Sequence, residues 1–195
     1  MRCLSMILSI PIFATVLAAP STSYRNDYST FREEAAGLSV FANGFPSSQG
    51  GHEAYVAVPV AVALMRNGPS VTFTTESFTL IDAQGNRVPA AGYNEVKNDH
   101  PRWLFDQSLM RVWPINVGML IAERPRIASN FYSYAGGATR IPRVELGPFS
   151  WFYDVIYFPR PPAGLDGVMT LSVAVTGGDP VDVRLFMNAQ QLARR

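Results

Sequence analysis

Cysteine is almost missing from this chain: Cys3 stands alone among 195 residues. One cysteine cannot close an intrachain disulfide, and Cys3 sits at the head of an apolar N-terminal run. If that run is removed on export, disulfides, thiolate catalysis and cysteine-ligated zinc are all excluded. Histidine is nearly as scarce. His52 and His100 are the only two, and neither belongs to an HExxH pattern or to an i, i+4 pair of ligands. Zinc takes three or four protein ligands, so a site would require two separate loops to meet. No metal site and no cofactor is therefore expected. Charge is thin as well, at 16% of residues with a net charge of +1. That balance exerts no broad pull on polyanions and leaves no basic stripe, so nucleic acid is not an expected partner. Lys97 is the only lysine; every other basic residue is arginine.

What is present begins with "MRCLSMILSIPIFATVLAAPSTS". Arg2 supplies a positive start, an apolar run follows from Leu4 to Leu17, and Val16 to Ala18 fit the small-residue rule for cleavage. This is the form of a secretory signal peptide over residues 1–19. The run is short for a spanning helix, which needs about 20 apolar residues. A membrane contact is expected only through this segment, if it is retained uncleaved. Cys3 precedes the apolar run, whereas a lipid-modified cysteine would follow it. The expected location is extracytoplasmic, either periplasmic or secreted.

Residues 20–36, "PSTSYRNDYSTFREEAA", are polar and read as a linker, with Ser29 or Thr30 and Glu33 placed to cap a short helix. Residues 37–188 carry hydrophobic patterning of period two. In "YVAVPVAVALM", Val56, Val58, Val60, Val62 and Leu64 share one face. Pro59 cannot donate to a ladder and so suggests an edge or a bulge. Further strands are expected around 37–45, 71–73, 78–81, from Val88, at 116–122, 130–135, 143–146, 150–158, 168–175 and 181–187. Gly and Pro, 15 of each, punctuate them and favour many short elements. In "GYNEVKNDHPRWLFDQSLMRVWP", Asp99 is placed to cap a short helix carrying Trp103, Gln107 and Met110 on one stripe. The expected fold is all-β, an immunoglobulin-like antiparallel β-sandwich with one short helix in a long connection. Residues 189–195 form a short basic C-terminal tail.

The stretch "SFTLIDAQGNRVP", residues 77 to 89, and the stretch "DVIYFPRPPAGLDGVMTLSV", residues 154 to 173, resemble the immunoglobulin-like domains of unknown function found in exported bacterial proteins. The resemblance implies an extracytoplasmic β-sandwich and supplies no catalytic residues. The segment holding Trp103 and Trp113 departs from that pattern.

Asp82 to Asn86 raises the choice between a hairpin turn and a cation loop. A calcium loop of the EF-hand type needs oxygen ligands at alternate positions and a closing glutamate; Asp82 and Asn86 stand alone and Arg87 follows, so a turn is expected. Serines near glycine in "FYSYAGG" and "GPFSWF" do not form G-x-S-x-G. Glu53, Asp82, Glu95, Asp99, Asp106 and Asp154 offer carboxylates, but spacing alone brings no two together for glycoside hydrolysis. Nothing argues for an enzyme, and no catalytic residue is assigned.

In "SWFYDVIYFP", Trp151, Tyr153 and Tyr157 fall on one face of a strand. Such an aromatic row suits a binding surface for a protein or a sugar, unless the segment around Trp103 covers it. Trp151, Tyr153, Tyr157 and Trp103 are the candidate binding residues. The leading expectation is a non-catalytic exported module binding a protein or envelope component. The alternatives are a carbohydrate-binding or glycan-hydrolysing protein using the aromatic row, and a structural subunit that self-assembles through an open sheet edge.

Overall fold

Alternating valines build the centre of the molecule. In the computed structural model, which describes residues 24–25, 30–35, 37–44, 54–100, 106, 123–133, 139–175 and 178–188, the valine-rich segment is a ten-residue strand buried on both faces. The described strands in chain order are β1 (Tyr24–Arg25), β2 (Thr30–Ala35), β3 (Leu38–Asn43), β4 (Tyr55–Leu64), β5 (Val71–Phe73), β6 (Phe78–Ile81), β7 (Arg87–Pro89), β8 (Val144–Leu146), β9 (Trp151–Pro159), β10 (Met169–Val173) and β11 (Val181–Leu185). One helix, α1 (Tyr93–Asp99), follows β7. All pairings between these strands are antiparallel, in sheets ordered β1-β2-β3-β4-β9, β11-β10-β6-β7 and β5-β8. The fold is an all-β sandwich in which α1 is the one helix whose full extent is described; Asp106 is also helical.

Its core is aromatic and aliphatic, as a fold without disulfides requires. Phe73 meets Phe152 at 5.4 Å and Phe78 at 6.5 Å between ring centroids. Phe131 closes the group against Phe78 and Phe152 at 6.1 and 6.0 Å. These four rings come from β5, β6, β9 and the segment 123–133, so one cluster joins all three sheets. Fully burying such a side chain contributes about 1.5–3 kcal/mol. Gly44 marks a second closure: a Cβ there would lie 1.8 Å from the carbonyl oxygen of Phe186, so β3 and β11 meet where only glycine fits.

Three expectations are corrected. Pro59 does not lie on an edge strand, since β4 pairs with β3 on one side and β9 on the other. It falls one position past Val60, the last β4 residue paired with β3, while still opposite Val155 of β9. A missing N–H is tolerated where the neighbouring ladder has ended. The segment read as a linker enters the sheet instead: Thr30–Ala35 pairs residue for residue with β3, and Tyr24–Arg25 pairs with β2. Its charges suggested a helix, but an antiparallel strand with one face toward water carries charge as well; Arg32 lies over the Phe41 ring and pairs with Glu34 on the same face. The third correction concerns the helix. Asp99 does not cap one; it ends α1, and His100 closes the last turn through its N–H to the Val96 carbonyl at 3.0 Å, while of the helix expected beyond it only Asp106 is described, and it is helical. The start is at Gly92, whose N–H donates to Glu95 Oε2 at 2.7 Å. Trp103, Gln107 and Met110 lie outside the described residues, as do 116–122. Asn130 pairs only as an isolated bridge with Ile141, so the described part of 130–135 is not a strand.

The turn at 82–86 joins β6 to β7, as expected. Asp82 Oδ1 accepts the Gln84 and Asn86 N–H groups at 2.9 Å each, and Oδ2 accepts Asn86 Nδ2 at 2.9 Å. The Asn86 side-chain donor, reinforced by backbone N–H groups, holds the Asp82 carboxyl below its usual range. Gly85 has φ +87° with open space around its Cβ position. Gly85→Ala therefore probes backbone strain without a clash; urea denaturation is expected to show a loss of about 1 kcal/mol.

Candidate functional site

Strand β9 is the axis of the site, and its faces differ from the simple alternation. Phe152, Ile156 and Phe158 enter the sandwich core, as the pattern predicts. On the opposite face the expected row divides. Tyr157 is fully buried and belongs to the main core. It packs against Tyr132 at 5.0 Å and against the His100 imidazole at 5.2 Å, which removes it from any binding surface. Trp151 and Tyr153 form a separate small cluster with Phe41, Ala61 and Ala63 on the outer face of the five-stranded sheet. Their rings stack at 5.8 Å with planes 21° apart. Trp151 is 7% exposed and Tyr153 half-buried. Trp103, the fourth candidate, lies outside the described residues.

The segment 125–131 covers the free edge of β9. The Trp151 N–H donates to the Pro125 carbonyl at 3.1 Å, and the Ile127 N–H to the Trp151 carbonyl at 2.7 Å. Ser129 Oγ donates to the Tyr153 carbonyl. The Phe131 N–H donates to Asp154 Oδ2 at 2.8 Å. This strap fixes two arginines that the sequence reading did not single out. The Arg126 guanidinium lies 3.8 Å from the Tyr153 ring centroid and 5.7 Å from that of Trp151. Arg124 accepts the Trp151 indole N–H on its carbonyl at 3.0 Å and places its guanidinium 5.5 Å from the Phe149 ring.

Phe149 is the most unusual residue of the group. It sits in the turn Gly147 to Ser150, closed by the Ser150 N–H to the Gly147 carbonyl at 3.2 Å. Its φ is +53°, the sole positive value among the described non-glycine residues. Pro148 at the second position and a positive φ at the third describe a turn that normally carries glycine there. A bulky side chain in that region costs about 1–2 kcal/mol. Phe149 is nevertheless 41% exposed and forms no part of the core. Strain of this kind collects at functional positions. Ser150, in the turn noted for its serine, is structural: its hydroxyl donates to the Gly147 carbonyl at 2.6 Å.

The patch therefore runs Phe149, Arg124, Trp151, Arg126, Tyr153. Arg126 is exposed. Among the described residues the ion pairs are Arg32–Glu34 and His100–Asp106, so neither Arg124 nor Arg126 is neutralised by a carboxylate at close range. A cation–π contact with an aromatic face does not use up a guanidinium's N–H donors.

The carboxylates suited to hydrolysis are occupied elsewhere. Asp82 closes its turn and Glu95 caps α1. Asp106 is buried, accepting from or pairing with His100 Nε2 at 2.6 Å. Asp154 is buried on the core face of β9, with Oδ1 accepting the Val155 N–H at 2.9 Å. Burial pushes its pKa up to about 7, against smaller opposing effects of the Phe131 and Val155 N–H groups, the Ser129 hydroxyl and the Arg126 charge. Glu53 and His52 lie outside the described residues. Groups of three or more histidine, cysteine or acidic side chains able to hold a metal do not occur among the described residues.

By architecture the chain is an all-β sandwich carrying an arginine–aromatic patch on one edge. Comparison with family models, with curated proteins and with solved structures returns no match.

Proposed function

We propose that the chain is a non-catalytic, exported β-sandwich module that binds a protein or envelope component through the patch built on Phe149, Arg124 and Arg126. The immunoglobulin-like character and the extracytoplasmic location suggested by the sequence belong to this reading. The observation that carries it is the strained, exposed Phe149 set beside two guanidiniums without acidic partners. Stability alone gives no reason to keep a phenylalanine at φ +53°, whereas a contact surface does. Arginine and aromatic residues are also the types that dominate binding energy at interfaces.

A sugar-stacking role is less well supported. Arg126 already occupies a face of Tyr153, and Trp151 is 7% exposed, so neither ring offers the open face that a pyranose requires. Self-assembly through a sheet edge also loses support at β9, because the strap 125–131 already bonds to that edge.

Two measurements test the proposal. Cell fractionation of the full chain in a bacterial host is expected to recover it outside the cytoplasm, shortened by about 19 residues; a full-length cytoplasmic product contradicts export. The purified chain, immobilised, is expected to retain material from a solubilised envelope fraction, and Arg126→Ala is expected to reduce that retention about tenfold. Equal retention by the variant removes the patch from the function.

A further inference from the structure

We infer that the patch recognises an acidic peptide segment, in which carboxylates engage Arg126 and Arg124 and a neighbouring apolar side chain packs on Phe149. This rests on the module reading above and adds the ligand's chemistry.

The two guanidiniums are held, not free. Arg126 lies on Tyr153 at 3.8 Å, and its backbone is locked to β9 by the hydrogen bonds flanking it at Pro125 and Ile127. Arg124 is fixed through its carbonyl by the Trp151 indole and lies against Phe149. A guanidinium held over an aromatic ring can still pair its N–H groups with a carboxylate. Both side chains lack an acidic partner, and the exposed Glu123 beside them forms no ion pair with either. The pair thus presents positive charge that no ion pair neutralises among the described residues, Asp154 acting on Arg126 only at longer range. Arg32, on the same sheet face, does not add to it because Glu34 already pairs with it.

Phe149 decides between classes of anionic ligand. A ring 41% exposed at the tip of a strained turn calls for an apolar group next to the charges. An acidic peptide carries both within a few ångströms, since successive side chains of an extended strand alternate in direction and recur at about 6.6–6.8 Å on one face. An anionic polysaccharide supplies the carboxylates, but its rings need the aromatic faces that Arg126 and the surrounding cluster occupy. An anionic bilayer would use charge without direction, for which stacked and immobilised arginines bring no advantage.

The test uses the full chain and a fluorescent decapeptide of repeating Glu-Glu-Leu-Leu, which sets glutamate and leucine in turn along each face of an extended strand, read by anisotropy. The wild type is expected to bind it and to lose affinity steeply with added salt. Arg126→Ala is expected to weaken binding about tenfold, and Arg126→Lys about fivefold, because lysine keeps the charge and loses the fork. Phe149→Gly is expected to weaken binding about fivefold with no loss of thermal stability. The inference is overturned by equal affinity for Arg126→Lys and wild type, by binding to polygalacturonate or phosphatidylglycerol vesicles in place of the peptide, or by no binding of the peptide at all. If the envelope retention described above persists while the peptide fails, the module reading stands and the acidic-peptide ligand falls. If both fail, the module reading falls as well.

Discussion

Stability is expected to fall by about 2–4 kcal/mol as the pH rises from about 4 to about 8, and Asp154 is the reason. Its carboxyl lies between Phe152 and Ile156 on the core face of β9, 3% exposed. Burial raises its pKa from 3.8 to about 7. The folded state therefore holds a proton across that interval which the unfolded state has already released. Stability is greatest below the unfolded pKa and declines through the window between the two values. Above the folded pKa the charged carboxylate is kept in the core at full cost, relieved in part by the Phe131 and Val155 N–H donors. The common carboxylate behaves oppositely, and Asp82, held low by Asn86, adds stability that is lost only at acid pH. Urea denaturation at intervals from pH 4.5 to 8 measures the slope. Asp154→Asn stays neutral and is expected to flatten it. A wild-type profile that is level or rising across this interval contradicts the assignment, as does an unchanged slope in the variant. The same residue has a functional consequence, because its Oδ2 anchors the strap that places Arg126.

His100→Ala is expected to destabilise the fold by about 3–5 kcal/mol. The imidazole Nε2 stands 2.6 Å from Asp106 Oδ2, with both side chains only 2% and 3% exposed. Removing the ring takes from a buried carboxylate its imidazole partner, and it also removes the surface on which Tyr55 and Tyr157 pack, at 5.9 and 5.2 Å. His100 Nδ1 has no hydrogen-bond partner, so the pair brings one incompletely satisfied polar atom into the core. Buried pairs of this kind are replaced by apolar residues with little loss, although breaking one by a single substitution is costly. The double variant His100→Phe, Asp106→Leu is accordingly expected to recover most of the stability lost in His100→Ala. Chemical denaturation of the three proteins decides the matter. A loss below 1 kcal/mol in His100→Ala would contradict the role given to the pair.

The strands were legible because their signal is local. Val56 to Leu64, Phe78 to Ile81 and Val181 to Leu185 alternate in sequence, and each lies where the alternation puts it. The short break at Thr75–Ser77 was legible as a break, but not as the point where the chain passes from the β5-β8 sheet to the β6 sheet. Partner choice of that sort depends on contacts far apart in sequence. Thr30–Ala35 misled because its charges and cap residues match a helix start, and only pairing with β3 makes it a strand. Gly92 concealed the start of α1 because glycine has no side chain with which to announce a cap.

The site was half legible. Trp151 and Tyr153 stood out as aromatics on one face, and they do share an outer cluster. Tyr157, four residues further on the same face, is covered by His100 and Tyr132, which are 57 and 25 residues away in sequence. Arg124, Arg126 and Phe149 drew no notice. Their significance arises from stacking across separate segments and from one backbone dihedral. The only local trace was "GPFS", a turn sequence with phenylalanine in the position where glycine is usual.

Phe149→Gly, measured side by side for thermal unfolding and for retention of envelope material, tests the central claim most directly. Relief of the positive φ is expected to raise stability by about 1 kcal/mol, or about 2–4 °C in a domain of this size, while retention falls. A ring kept for binding at the expense of stability gives that opposed pair of changes. Retention equal to wild type in the stabilised variant would show that Phe149 takes no part in recognition, and the proposed site would be wrong.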